Sequence, residues 1–491
     1  MIFAMRNYIY CYINGVAHKL SPEQSFMTVG DYLRYIKGLT GTKIVCSEGD
    51  CGACTILVSR MISGKMSPYK SINSCISFMY LLDRCHLITV EGLEKNNQLH
   101  EVQTKMIECH GAQCGYCTPG IICAMANMTE DLKISGKKIT PKKVKNYLTG
   151  NLCRCTGYKS IIEAGQKINL AEVNLLGSYY DDTKILNDFL TTAQESVFIK
   201  SKLKEVYLPT QFREMITYKY ENKNCSITSG GTDLGVLHNK GKLNQTKILS
   251  LNNLAEAYEI AQTDKTIEIG AKVSLSDVEK MSEKYFPAFA KMLQIFASPQ
   301  IKNNGTLVGN IVNASPIGDS IPFLMTAEAE LVLVSSGGMR FLNINHFYKD
   351  GYKNLDLLEH ELVYKVSIPK TTNEFKIYKV SVRKDLDIST VSIAFSYKLN
   401  GAKIENIKIA IGGVGPKTIR ALILEKELMG KDFGKELFMK AKEMVLNEIS
   451  PLSDHRGSLE FRKKLTQNLF MKFYDEVSKE KGLVKLPEVN A

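Results

Sequence analysis

The apolar positions change rhythm several times along the chain, and each change marks a candidate domain. Residues 7–13 and 16–20 alternate apolar and polar side chains around Asn14-Gly15. Asn-Gly supplies two residues at positive φ, so the pattern predicts a hairpin with a type I′ turn. Thr28 follows as a helix N-cap with Asp31 three residues on, opening a short helix with Val29, Leu33 and Ile36 on one side. A cysteine-bearing loop over 46–54 leads into a strand at 55–58, giving a small sheet with a helix packed across it. From about residue 99 the spacing turns helical. Residues 119–128 carry Ile121, Ile122 and Met125. Thr140-Pro141 is an N-cap with proline at the first helical position, ahead of Val144, Tyr147 and Leu148 as the buried stripe. A last helix of this region covers about 159–170. Residues 171–204 are mixed and polar, without periodicity, and read as a connector.

At Val206 the pattern becomes α/β. Glycine clusters appear at 229–232 and 307–310, Ser274 precedes a helix with Asp277 behind it, and 331–334 is a continuous apolar strand. After about 377 a third pattern follows: strands at 391–399 and 407–412, then helices at about 432–448 and 455–476. No internal repeat or low-complexity tract is visible.

Composition narrows the class. The 491 residues are 44% hydrophobic and 23% charged, which excludes disorder, collagen and a coiled-coil rod. No apolar run approaches the ~20 residues of a membrane span. Arg6 and Asn7 stand where a signal peptide would have its apolar core, so a cytoplasmic protein with no membrane association is expected. The net charge is +12, and residues 1–170 hold 20 Lys and Arg against 12 Asp and Glu. The main basic run is Lys133, Lys137, Lys138, Lys142, Lys143 and Lys145, read as a solvated face, with an anionic partner as the alternative.

Cysteine carries the chemistry. Twelve of the thirteen lie in the first 155 positions. Without an export signal, clustered cysteines point to metal rather than disulfides. Cys46, Cys51, Cys54 and Cys75 are spaced C-x4-C-x2-C-x20-C, whose opening matches the plant-type [2Fe–2S] spacing. Two irons bridged by two sulfides need four thiolates, and a loop with Gly49 and Gly52 can aim backbone N–H groups at the sulfurs. Zinc is the alternative, but it favours paired knuckles from two places. Cys114, Cys117, Cys153 and Cys155, spaced C-x2-C-x35-C-x-C, form a second set of four, each pair at a helix end. The remaining Cys11, Cys85, Cys109, Cys123 and Cys225 are expected to pack as small hydrophobes.

Residues 41–56 (GTKIVCSEGDCGACTI) resemble the N-terminal ferredoxin-like segment of the molybdenum hydroxylases. Residues 113–120 (QCGYCTPG) with 151–158 (NLCRCTGY) resemble that family's four-helix [2Fe–2S] domain. Residues 227–235 (ITSGGTDLG) are similar to its first flavin-binding loop, and 309–319 to its second, with Leu307-Val308-Gly309 where two adjacent glycines are common. The resemblance implies Gly230, Gly231, Thr232 and Asp233 on the FAD diphosphate, Asn310 and Ser315 on phosphate or ribitol, and Asp319 at the adenosine end. Ile227, Ser229, Leu234 and Gly309 complete the implied contacts of these loops. Residues 379–388 (KVSVRKDLDI) resemble the stretch beside the isoalloxazine ring; Lys379, Arg383 and Asp387 match best. The implied roles are a flavin contact for Lys379 and an electrostatic one for Arg383, since positive charge stabilises a reduced flavin anion.

The resemblance implies a multidomain α+β fold: a β-grasp ferredoxin-like domain over 5–92, an all-helical [2Fe–2S] domain over 93–170, a linker over 171–204, an α/β FAD-binding domain of the PCMH/vanillyl-alcohol-oxidase type over 205–372, and an α+β CO-dehydrogenase-flavoprotein-like domain over 376–480. Within the family the order resembles that of the small subunit of bacterial xanthine dehydrogenases. The implied function is electron transfer from a molybdopterin-binding large subunit that oxidises hypoxanthine and xanthine to urate. The electrons would pass through the two [2Fe–2S] clusters to FAD and then NAD⁺, in a dimer of heterodimers. No side chain is assigned as a catalytic acid or base. The alternatives are the same role in an aldehyde or N-heterocycle hydroxylase and, from another class, a zinc protein associated with nucleic acid.

Overall fold

The computed structural model describes residues 5–483. They fall into two compact units. One takes the chain up to Glu259 with Ser274–Ser276 and Ser298–Thr306; the other takes Ile260–Val273, Asp277–Ala297 and the chain from Leu307 onward.

The first unit begins with the expected hairpin. Ile9–Ile13 and Val16–Leu20 pair antiparallel, with Asn14 at φ 48° and Gly15 at φ 80°, both positive as a type I′ turn requires. Cys85–Ile88 runs parallel to the first of these strands, and Thr55–Ile62 closes antiparallel on its far side. The Thr28 hydroxyl accepts from Asp31 N at 3.2 Å, as expected of an N-cap. The helix it opens then widens into a π-helical turn over Tyr32–Ile36, where Lys37 N reaches back five residues to Tyr32 O.

The helical part is built around Thr118–Ile134, whose buried residues include Ile121, Cys123, Met125 and Met128 on several sides of the helix. A helix apolar all round belongs at the centre of a core. Glu101–Glu108, Pro141–Tyr147 and Lys159–Lys167 pack about it. Thr140 caps the second of these through Lys143 N at 3.3 Å.

The stretch expected as a connector is more ordered than its composition indicates. It holds a helix, Asp182–Leu190, and a strand, Ser196–Lys200. Ile185 and Phe189, one helical turn apart, bury against Tyr12, with the Phe189 and Tyr12 rings 5.5 Å apart edge to face. Two apolar positions are too few to register as a period. The strand joins a five-stranded sheet in the order Met5–Arg6, Ser196–Lys200, Glu205–Leu208, Lys247–Ser250, Ser226–Thr228. This sheet supports the first glycine turn.

The second unit holds two antiparallel sheets. One runs Ile260–Gln262, Thr266–Gly270, Leu362–Pro369, Glu330–Ser335, Gly338–Asn343. The other runs Glu374–Val380, Val391–Asn400, Lys403–Gly412, Ile419–Arg420. The long helix Leu459–Glu480 covers the latter, and Phe473 stacks on Phe395 with centroids 4.1 Å apart.

Candidate redox site

The eight cysteines of the two sets gather four and four in the first unit. Cys54 Sγ lies 3.3 Å from Cys75 Sγ, and Cys46 is in hydrogen-bonding contact with both Cys51 and Cys75. In the second set Cys155 Sγ lies 3.5 Å from Cys114 Sγ, and Cys117 contacts Cys153. Among the described residues no group of three or more His, Cys, Asp or Glu side chains is arranged to hold a single metal ion. In the first set the contacts run from Cys51 through Cys46 and Cys75 to Cys54, and a diiron unit with four thiolates takes two on each iron. None of the thirteen cysteines is in a disulfide.

The loops supply what an anionic cluster needs. Glu48 N points at Cys46 Sγ at 3.4 Å, and Asn73 Nδ2 at Cys54 Sγ at 3.8 Å. Gly52 sits at φ +67°, and a Cβ there would lie 2.2 Å from Gly150 O, so no other residue fits the bend. Hydrogen bonds from Cys51 and Cys75 hold the Cys46 thiol far below its usual range, while Cys46 and Cys54 push Cys75 up. In the second set the backbone N–H of Tyr116, then Cys155, lowers the Cys114 thiol. Burial raises Cys117 to about 12. At Cys153 burial pushes upward too, but hydrogen bonds from Thr156 and the local backbone outweigh it and leave the thiol at about 7. Each set therefore already favours thiolate on at least one sulfur, the form that binds iron.

The two sets differ in exposure. Cys54 and Cys75 are buried, whereas Cys114 and Cys155 are exposed. Around the exposed pair Tyr116 is 50% and Leu152 43% accessible. The five cysteines outside the sets are all buried, as expected of small hydrophobes.

The first flavin loop follows the strand Ser226–Thr228, which contains Ile227. Ser229 and Gly230 form the turn, and Gly231 at φ +71° leads into the helix Thr232–Asn239, which has no side-chain cap. Its first N–H groups are thus available to an anion. Asn304 Nδ2 donates to Gly230 O at 2.9 Å and fixes the turn. Thr232 and Asp233 open the helix, Leu234 packs into the core, and Gly235 brings the backbone so close to Ile76 that a Cβ would sit 1.9 Å from its carbonyl. Val236, one residue on, packs on Cys54, Cys75 and Ile76.

The remaining predicted flavin residues lie in the second unit. Gly309 and Asn310 fall inside a helix, Leu307–Asn313, rather than in an open glycine loop. The apolar Leu307, Val308 and Ile311 bury one side of it, and Asn310 Oδ1 accepts from Ser320 Oγ at 2.6 Å. Ser315 lies in the turn that follows, its carbonyl accepting from Gly318 N. Asp319 is buried and bonded at both oxygens, to Lys379 Nζ at 2.6 Å and to Ser389 Oγ at 2.5 Å. Burial pushes its carboxyl above the usual range against the pull of Lys379. Lys379 also donates to Asp387 O and Ser389 Oγ, which fixes its buried side chain. Arg383 is largely exposed on the loop after this strand, its N–H bonded to Asp387. Sequence reasoning missed Ser389, and it missed Asn151, Thr55, Gln300 and Asn239 around the cysteine loops. Asn151 stood inside the motif beside Cys153; Gln300 gave no local signal.

Three family matches lie along the chain: "[2Fe-2S] binding domain" over 89–166, "FAD binding domain in molybdopterin dehydrogenase" over 200–371, and "CO dehydrogenase flavoprotein C-terminal domain" over 376–477. The xanthine dehydrogenase/oxidase of Gallus gallus is 29% identical over 94% of this chain. The chain belongs to the molybdenum hydroxylase family. Xanthine dehydrogenase 1 of Arabidopsis thaliana is 29% identical over 95% of this chain, and the xanthine dehydrogenase of Emericella nidulans 29% over 95%. The chain spans 38–39% of the length of these molybdenum hydroxylases. Among solved structures, quinoline 2-oxidoreductase from Pseudomonas putida 86 aligns over 56% of this chain and 96% of its own (TM-score 0.52, 24% identity). Carbon monoxide dehydrogenase from Hydrogenophaga pseudoflava aligns over the same shares (TM-score 0.53, 22% identity), which supports the multidomain α+β fold. Within its family the chain is an electron-transfer component with iron–sulfur and FAD-binding domains, and the zinc reading is not favoured. No helix among the described residues is long and apolar enough to cross a membrane.

Proposed function

We propose that this chain carries electrons between a molybdopterin-bearing partner that oxidises a purine such as xanthine and NAD⁺. The observation that carries the proposal is a continuous run of contacts within one unit. It leads from the exposed Cys114/Cys155 edge along the loop to Leu152, whose N–H bonds Cys51 O, through Cys46 to the buried Cys54/Cys75 pair, and on to the helix after the first glycine turn. Cys46, Cys51, Cys54 and Cys75 would hold one [2Fe–2S] cluster, and Cys114, Cys117, Cys153 and Cys155 the other. Residues 227 and 229–234 would hold the FAD diphosphate; in the second unit Gly309, Asn310, Ser315, Asp319, Lys379 and Arg383 are the flavin residues that the family resemblance implies. Bound there, the clusters supply one-electron chemistry and FAD the conversion to two-electron transfer.

The chain's own groups do the rest. Backbone N–H groups and Asn73 stabilise the sulfurs, and burial shields Cys54 and Cys75 from water. Lys379 is held in place by Asp319 and Ser389. The accessible Tyr116 and Leu152 beside Cys114 and Cys155 suit a partner surface there. Aldehyde or N-heterocycle oxidation remains the second reading, because substrate selection would lie in the partner. A cytoplasmic dimer of heterodimers is the assembly expected. The test is activity of the purified protein: it should oxidise NADH with a dye acceptor and leave xanthine untouched. Xanthine turnover by this chain alone would contradict the division of labour.

A further inference from the structure

The two cysteine loops are joined by one backbone hydrogen bond. Leu152, next to Cys153, donates its N–H to Cys51 O at 2.9 Å. Around this bond lies a closed set of buried polar side chains. Asn151 is 2% exposed and donates from Nδ2 to Gly52 O at 3.0 Å, with Thr55 Oγ1 at 3.5 Å. Gln300 is 1% exposed and donates from Nε2 to Asn151 Oδ1 at 2.8 Å and to Thr55 Oγ1 at 3.2 Å. Thr55 Oγ1 donates in turn to Gly52 O at 2.6 Å.

This set is costly for mere packing. Burying primary amides is unfavourable unless every polar atom is bonded. Gln300 Oε1 has no partner, and it faces Gly150, where a Cβ would come within 2.2 Å of it. An apolar side chain would fill the same volume without that loss. All the bonds that the set does make end on residues of the two cysteine loops or on Thr55, which follows Cys54. Asn151 belongs to one loop, Gly52 and Thr55 to the other, and Gln300 enters from the helix Pro299–Asn304 to lock them.

We propose that Asn151 and Gln300 are positioning residues that hold Leu152 N–H on Cys51 O and so fix the electronic coupling between the two cysteine sets. The inference rests on both sets holding [2Fe–2S] clusters. Asn151 anchors the second loop to Gly52, one residue from Cys51. Gln300 prevents Asn151 and Thr55 from turning away, since both use it as their donor.

The test uses the full chain with both clusters and FAD bound, comparing wild type with Gln300→Met and Asn151→Asp. Each variant removes the amide donors but keeps side-chain size. Paramagnetic resonance of the fully reduced protein reads the spin count of each cluster and the splitting caused by their mutual interaction. Rapid freezing after NADH addition reads when each cluster is reduced. The expected result is an unchanged spin count, an altered splitting, and about tenfold slower arrival of electrons at the Cys114 set, with flavin and the Cys46 set reduced at the wild-type rate. Thr55→Ser, which keeps the hydroxyl, should match wild type. Unaltered splitting and rates in both variants would overturn the proposal, as would loss of a cluster in both, which would make the pair a folding element. Absence of two cluster signals from the wild type would instead sink the underlying functional reading.

Discussion

Asn239 Nδ2 donates to Cys75 O at 2.8 Å, and the same amide reaches Ser47 O at 2.8 Å. One side chain at the end of the flavin-loop helix thus grips both ends of the first cysteine set. With Val236 packed on Cys54 and Cys75, the helix Thr232–Asn239, proposed to meet FAD at its N-terminus, is anchored on the buried sulfurs. Asn239→Ala should lower FAD occupancy and perturb the spectrum of the Cys46 set together, while leaving that of the Cys114 set unchanged. Flavin content and the two cluster signals measured on one preparation check this.

Ligand assignment is tested by single replacements. Cys54→Ser and Cys153→Ser should each abolish one cluster signal and stop electron delivery to FAD. Two intact signals in the double variant would show that these sulfurs are not ligands.

Gly235 admits no side chain, because its Cβ would lie 1.9 Å from Ile76 O, a backbone atom. Gly235→Ala must therefore push the helix Thr232–Asn239 off the Ile76 segment. Overpacking of this kind costs about 1–3 kcal/mol. Reduced FAD binding and a lower unfolding temperature are expected, measured by flavin retention on desalting and by calorimetry.

Glu130 gives a pH dependence. It is 2% exposed, accepts from Leu176 N at 2.9 Å, and burial raises its carboxyl to about 7. A carboxyl with a raised pKa in the folded state stabilises below its unfolded value of ~4.5 and loses that contribution as pH rises towards 7. Glu130→Gln keeps the acceptor and removes the charge. Relative to wild type, the variant should gain on the order of 2 kcal/mol between pH 5 and pH 8. Equal pH slopes in thermal unfolding of the two proteins would refute it.

How much of this was legible in the sequence depends on whether the signal is local. The Asn14-Gly15 turn, the Thr28 and Thr140 caps and the strands after 391 are written in neighbouring residues, and they form as read. The connector was misjudged because Ile185 and Phe189 find their apolar partner at Tyr12, far away in the chain. Asn310 was read as part of a loop and lies in a helix, because Leu307, Val308 and Ile311 bury that segment. The cysteine spacing brought out the eight sulfurs, but the residues that join the two sets are polar side chains far apart in sequence. Gln300 lies 149 positions from Asn151, and no periodicity or motif connects them.

The central claim is that eight sulfurs hold two diiron clusters beside a flavin. It is tested most directly by metal, sulfide and flavin analysis of the purified protein. The account expects about four iron and four acid-labile sulfide per FAD, with red-brown colour and negligible zinc. A colourless protein with stoichiometric zinc and no labile sulfide would contradict it.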